Sequence, residues 1–127
     1  MQGDFTVFWR NNERAYALFY DLIARAEKEA YDDDFLALLA AYREAAPTSE
    51  KSDIFAAQYL MHHGDTETAI LCGERAYAKR PIHHAVWSLL SRAYKAVDRY
   101  TDALVLEGYL FKLFEVPVAI DSYPTEA

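Results

Sequence analysis

The sequence predicts an all-α domain built from three helix pairs, and three observations carry that prediction. Apolar residues recur every three to four positions rather than every two, as in Phe19, Leu22, Ile23 and Ala26 and again in Phe35, Leu38, Leu39 and Tyr42. Only four glycines and four prolines punctuate 127 residues, too few for the frequent turns of a strand-rich fold. Pro47 and Pro81 stand 34 residues apart, and the apolar pattern repeats at that offset.

Each element follows from local punctuation. A first helix is expected from a cap at Asn11 or Asn12 to about Ala30, while the aromatic stretch Gly3 to Trp9 fits no one element. Asp32, Asp33 and Asp34 supply cap candidates and negative charge for a second helix, which must stop near Ala46 because Pro47 disfavours helical geometry before it. Thr48 or Ser49 starts a third helix that ends at Gly64, and Asp65 caps a fourth that ends before Pro81. A fifth runs from about Ile82 to Val97, and a sixth from near Tyr100 to just before Pro117. One domain over 1–127 therefore holds helix pairs at about 12–46, 48–80 and 82–115, with an extended or irregular tail over 116–127. It is equally compatible with a place in a longer native protein.

At the 34-residue offset, Leu22, Ala56 and Leu90 align, as do Ala26, Leu60 and Tyr94. In the second helices, Phe35, Ala69 and Ala103 align, then Tyr42, Ala76 and Leu110. Gly64 falls at the turn within its pair and aligns with Ala30 and Asp98. A helix pair cannot bury its apolar face alone, and stacking neighbours buries a continuous core.

Trp87, Leu90, Ser91 and Tyr94 match the W-x2-L-G-x2-Y pattern of the tetratricopeptide repeat, with Ser for Gly, and Gly64, Ala69, Ala76 and Pro81 fall at its spacing. Over about Tyr16 to Pro117 the chain resembles that family. It departs from the pattern at Asp53, which stands where the third unit has Trp87, and at Gly73 and Glu107, which replace an expected aromatic. Pro117 also comes late. The resemblance implies a TPR-like α-solenoid, a right-handed superhelix of three stacked antiparallel helix pairs with a degenerate first repeat. It further implies a non-catalytic scaffold that holds a protein or peptide partner on its concave face.

By that resemblance the groove is lined by Tyr20, Ile54 and Ser88, by Ala24, Gln58 and Arg92, and by Glu27, Met61 and Lys95, three sets at the repeat offset. The family's basic and Asn-rich clamp for terminal carboxylates is absent, since Ala24 and Ile54 occupy such places, but Arg92 and Lys95 are suited to an acidic ligand group. On the sixth helix, Leu104 and Phe111 form a stripe whose equivalents Ile70 and Tyr77 have a following repeat to pack against. The tail residues Val116, Val118 and Ile120, a second copy of the chain or a further domain can each cover that stripe. The expectation is a homodimer through this helix, with the tail contributing.

Composition excludes several classes of function. Thirteen basic against twenty acidic residues give a net charge of −7, which argues against a nucleic-acid partner. Cys72 is the one cysteine, no signal-peptide pattern opens the chain, and no apolar run is long enough for a membrane span, so a soluble cytoplasmic protein is expected. No metalloprotease, nucleophile-elbow or phosphate-loop motif occurs, and no catalytic residue, cofactor or metal ligand is assigned. His62 with His63 and His83 with His84 are read as terminal, partly exposed residues, because the two pairs fall at opposite ends of parallel helices, roughly 20 Å apart. Cys72 is expected to pack, and most of the ten tyrosines to be core. An all-helical enzyme or ligand-sensing domain is the alternative reading.

Overall fold

The computed structural model describes the backbone of residues 2–125 and the side chains of residues 12–125. Six helices follow in order: α1 Gln2–Glu27, α2 Asp33–Ala45, α3 Lys51–His62, α4 Thr66–Lys79, α5 His84–Ala96 and α6 Tyr100–Phe114. A short 3-10 turn over Ile120–Ser122 closes the described chain, and no strand occurs among the described residues. Short turns fold α1 against α2, α3 against α4 and α5 against α6. The pairs then meet one another, with α3 touching both α1 and α5 and α4 lying along α5. One core runs through all three pairs, from Leu22 and Phe35 through Ala57 and Ala76 to Leu90 and Leu110.

The caps explain most boundaries. Asp32 accepts the backbone N–H of Phe35 at 3.0 Å and Asp65 that of Thr68 at 3.3 Å, which start α2 and α4 as expected. α2 stops before Pro47 and α4 before Pro81, because the residue ahead of a proline is pushed out of the helical region. Three helix starts differ from expectation. α1 begins at Gln2, so Asn11 and Asn12 lie inside it; asparagine in a helix interior costs only ~0.7 kcal/mol, and no proline interrupts the run. α3 begins at Lys51, and Ser49 holds its start by accepting from the backbone N–H of Lys51. α5 begins at His84 rather than near Ile82, because His83 is its cap: Nδ1 accepts the N–H of Ala85 at 3.2 Å. α6 stops at Phe114, before Pro117 as expected, where Glu115 turns left-handed with φ 57.

Left-handed residues also reset the register of the first pair. Glu29, Gly64 and Asp98 carry positive φ at the ends of α1, α3 and α5. The closing bonds run from Ala30 to Arg25, from Asp65 to Leu60 and from Arg99 to Tyr94. The last two pairs thus repeat at 34, but α1 aligns with α3 at 35, so the chain runs one residue further from the end of α1 to Phe35 than from the end of α3 to Ala69. The second helices keep the 34 offset, with Phe35, Ala69 and Ala103 all buried. The tyrosines differ from expectation as a group: among those described, only Tyr42 and Tyr94 are buried.

The tightest contact lies between α4 and α5. A methyl group built on Gly73 would come within 2.6 Å of Leu90 Cδ2 and 3.0 Å of its Cγ. Leu90 is itself buried among Leu89, Ile70 and Val86, so it has little room to yield. Gly108, on α6, faces nothing within 4 Å. The two glycines therefore respond in opposite directions. Gly73→Ala is expected to destabilise by about 1–2 kcal/mol, overpacking outweighing the gain in helix propensity, and Gly108→Ala to stabilise by about 0.5–1 kcal/mol. Urea unfolding of both variants checks the pair of signs.

Candidate functional groove

Three connected depressions run along one face of α1, α3 and α5. The largest, about 520 Å3, is lined by Ala26, Tyr31, Gln58, Met61, His62 and Leu89 together with the charged Glu27, Lys28, Glu29 and Arg92. A second, about 190 Å3, lies between Phe19, Ile23, Ile54, Phe55, Gln58 and His83. The third, about 200 Å3, lies between Ser88, Arg92 and Lys95 of α5 and the tail residues Val116, Pro117 and Ala119. Gln58 borders the first two and Arg92 the first and third, so the depressions form one continuous groove. The spacing of Ile54, Gln58 and Met61, and of Ser88, Arg92 and Lys95, places each set on one side of its helix.

Seven of the nine residues expected in a groove border these depressions: Glu27, Ile54, Gln58, Met61, Ser88, Arg92 and Lys95. Tyr20 is not among them. Its side chain is 65% exposed and borders none of these depressions, and Phe19 holds the equivalent place. The one-residue shift of α1 is the cause: at an offset of 35, Phe19, Ile23 and Ala26 match Ile54, Gln58 and Met61. Ala24 is exposed outside the groove for the same reason.

The groove has distinct polar features. Gln58 Oε1 is buried without a hydrogen-bond partner, so it offers an acceptor to a ligand. Arg92 is exposed and pairs with no carboxylate among the described residues. Lys95 is engaged, donating to Glu107 and, at 2.9 Å, to the Ser122 hydroxyl. Burial pushes the Tyr31 phenol up, and Glu29 adds to the shift while Arg92 opposes it, so the ring lines the groove as a neutral donor. Its carbonyl accepts from His63 Nε2 at 2.9 Å, and His62 packs on its ring at 4.9 Å.

Two departures from the repeat pattern acquire physical roles. Asp53 is buried where the next unit has Trp87, and its carboxylate meets Lys79 Nζ at 2.8 Å and Arg75 at 3.7 Å. Trp87 at the equivalent place packs on Tyr109 and Phe114 at 5.5 and 5.9 Å, so an ion pair in one unit replaces an aromatic cluster in the other. Cys72 is buried and accepts from Arg75. Among the described residues, no three His, Cys, Asp or Glu side chains converge as metal ligands, and no helix is long and apolar enough to cross a membrane.

On α6, Leu104 and Phe111 stay 51% and 58% exposed; of their equivalents one repeat earlier, Ile70 is buried as expected, but Tyr77 is 38% exposed and so is not fully covered by the following pair. The tail does fold back, but onto Glu107 and Lys95 rather than over this stripe, and Ile120 remains 75% exposed. Residues the sequence reasoning missed are Phe19, Ile23, Tyr31, His83 and Glu107. No protein-family model matches this sequence, and neither a characterised protein nor a solved structure matches it.

His83 both caps α5 and borders the groove, with Nε2 3.3 Å from Glu50 Oε1. Glu50 also takes Arg80 at 3.3 Å. Burial lowers the His83 pKa below its ordinary 6.5, with Arg80 and Lys51 adding to the effect and Glu50 opposing it. Burial works against the Glu50 charge, but bonds from its own backbone and Arg80, together with His83, hold its carboxyl below 4.5. Both groups bind more protons unfolded than folded in the affected range. The His83 contribution is therefore complete above pH 6.5 and lost as pH falls toward its folded value; that of Glu50 is lost in a lower window, below 4.5. The melting temperature should fall as pH drops below 6.5, and His83→Asn, which caps without titrating, should flatten this first decline. Thermal unfolding followed by circular dichroism from pH 7.5 to about 5 tests the difference.

Proposed function

We propose that the chain is a non-catalytic helical-repeat module of the tetratricopeptide kind, which binds a protein or peptide partner in the groove of α1, α3 and α5. The observation that carries this reading is the continuity of the groove across three helix pairs, with equivalent residues presented by each pair. Its chemistry indicates the ligand. Phe19, Ile23 and Ile54 offer an apolar stretch, Gln58 an unfilled acceptor and Arg92 an unpaired cation. An extended segment carrying an apolar side chain near an acidic one satisfies all three. The stacking of pairs at a near-constant offset supports a superhelical array, and the exposed Leu104 and Phe111 support self-association through α6. The single buried cysteine suits a cytoplasmic setting.

The test is affinity capture with the full chain as bait, comparing Arg92→Glu with Arg43→Glu, an equal change of charge on the exposed side of α2. A partner held in the groove is expected to be lost at least about tenfold with Arg92→Glu and retained with Arg43→Glu. Equal retention by both would place the binding surface elsewhere.

A further inference from the structure

Glu107 occupies the position one repeat after Gly73, where the neighbouring α5 inserts Leu90. Among the described residues no further α-helix packs on α6 at this position, and the carboxylate there is only 6% exposed. A buried charge is costly unless it is paired and hydrogen-bonded. Glu107 meets that requirement with one partner from the helices and one from the tail. Oε1 takes Lys95 Nζ, and Oε2 accepts the backbone N–H of Ala119 at 2.8 Å. Lys95 also donates to Ser122 and lies 5.2 Å above the Tyr123 ring, which rests against Tyr100 at 6.0 Å. Burial opposes the Glu107 charge, but Lys95 and the Ala119 N–H keep the carboxyl below its ordinary range, so it is ionised when the tail is seated.

We propose that Glu107 and Lys95 form a site for a peptide segment in a tight turn, which residues 116–123 of this chain fill until a partner's segment displaces them. A carboxylate that accepts a main-chain N–H recognises backbone rather than one side chain, and Lys95 adds a preference for a hydroxyl three residues further on, which the turn at Ala119–Ser122 brings within reach. The resident tail is poorly anchored. Pro117, Ala119, Ile120 and Asp121 are exposed, and only Val116, Val118 and Tyr123 are half-buried. It leaves α6 through the left-handed Glu115 and then Pro117, a natural hinge. It also walls the third depression beside Ser88, Arg92 and Lys95, so a segment crossing the groove meets it. The displacement by a partner rests on the reading of that groove as a binding surface; the peptide site itself does not.

Ala119 has φ −80, close to the value proline imposes, so Ala119→Pro removes the N–H that Glu107 accepts with little change of backbone. The test uses the full chain and, as probe, a synthetic peptide of residues 116–125. In Ala119→Pro, hydrogen exchange over 116–123 should accelerate, and the probe should bind at least about tenfold tighter than to wild type, whose tethered tail competes at a high effective concentration. Adding Glu107→Ala, which removes the acceptor that a glutamine would retain, should abolish that binding. A probe carrying Ser122→Ala should bind several-fold more weakly, a comparison that leaves the protein unchanged. Failure of the probe to bind Ala119→Pro, or equal binding to wild type and variant, would overturn the site. Neither result depends on the Arg92→Glu capture, so the site and the groove reading fail separately.

Discussion

The approach of α4 to α5 at Gly73 and Leu90 is the constraint on which the arrangement of the pairs depends. Leu90 enters where a side chain on α4 would otherwise stand, and this brings Ile70, Val86, Leu89 and Ala93 into one buried seam. Each such apolar side chain contributes about 1.5–3 kcal/mol when taken from water, which no isolated helix pair could collect. With α5 held at that distance, its opposite side turns Ser88, Arg92 and Lys95 toward the surface that α3 continues with Ile54, Gln58 and Met61. The groove is thus a by-product of the seam.

Equivalent positions do different work in successive units. Trp87 joins an aromatic cluster, whereas Asp53 joins Lys79 and Arg75. Gly73 admits a neighbour, whereas Glu107 holds the tail. A buried ion pair stabilises little beyond a well-packed apolar substitute, yet removing one partner leaves an uncompensated charge. Asp53 and Glu107 therefore tie their units to particular partners, Lys79 in one case and Lys95 in the other.

Helix type, number and pairing were legible because the signals are local. Asp32 and Asp65 as caps, Gly64 as a left-handed terminus, and Pro47 and Pro81 as stops each act within a few residues of themselves. The start of α1 was not legible, since Asn11 and Asn12 look like caps and are overridden by the continuing helix. The register of the first pair was hidden by a path one residue longer from the end of α1 to Phe35, and that shift is why Phe19 rather than Tyr20 borders the groove. Glu107 stood out as a departure from the repeat, but its bond to Ala119 joins residues twelve apart through a bend that no periodicity announces.

The stacked arrangement is tested most directly by a double-mutant cycle on Gly73→Ala and Leu90→Ala, read by urea unfolding. Leu90→Ala alone should cost about 2–5 kcal/mol, and the space it opens should accommodate the methyl group of Gly73→Ala. The two changes together should therefore cost at least about 1 kcal/mol less than the sum of the singles. Additive costs would mean that α4 and α5 do not meet at these residues, and the seam that orders the three pairs would be contradicted.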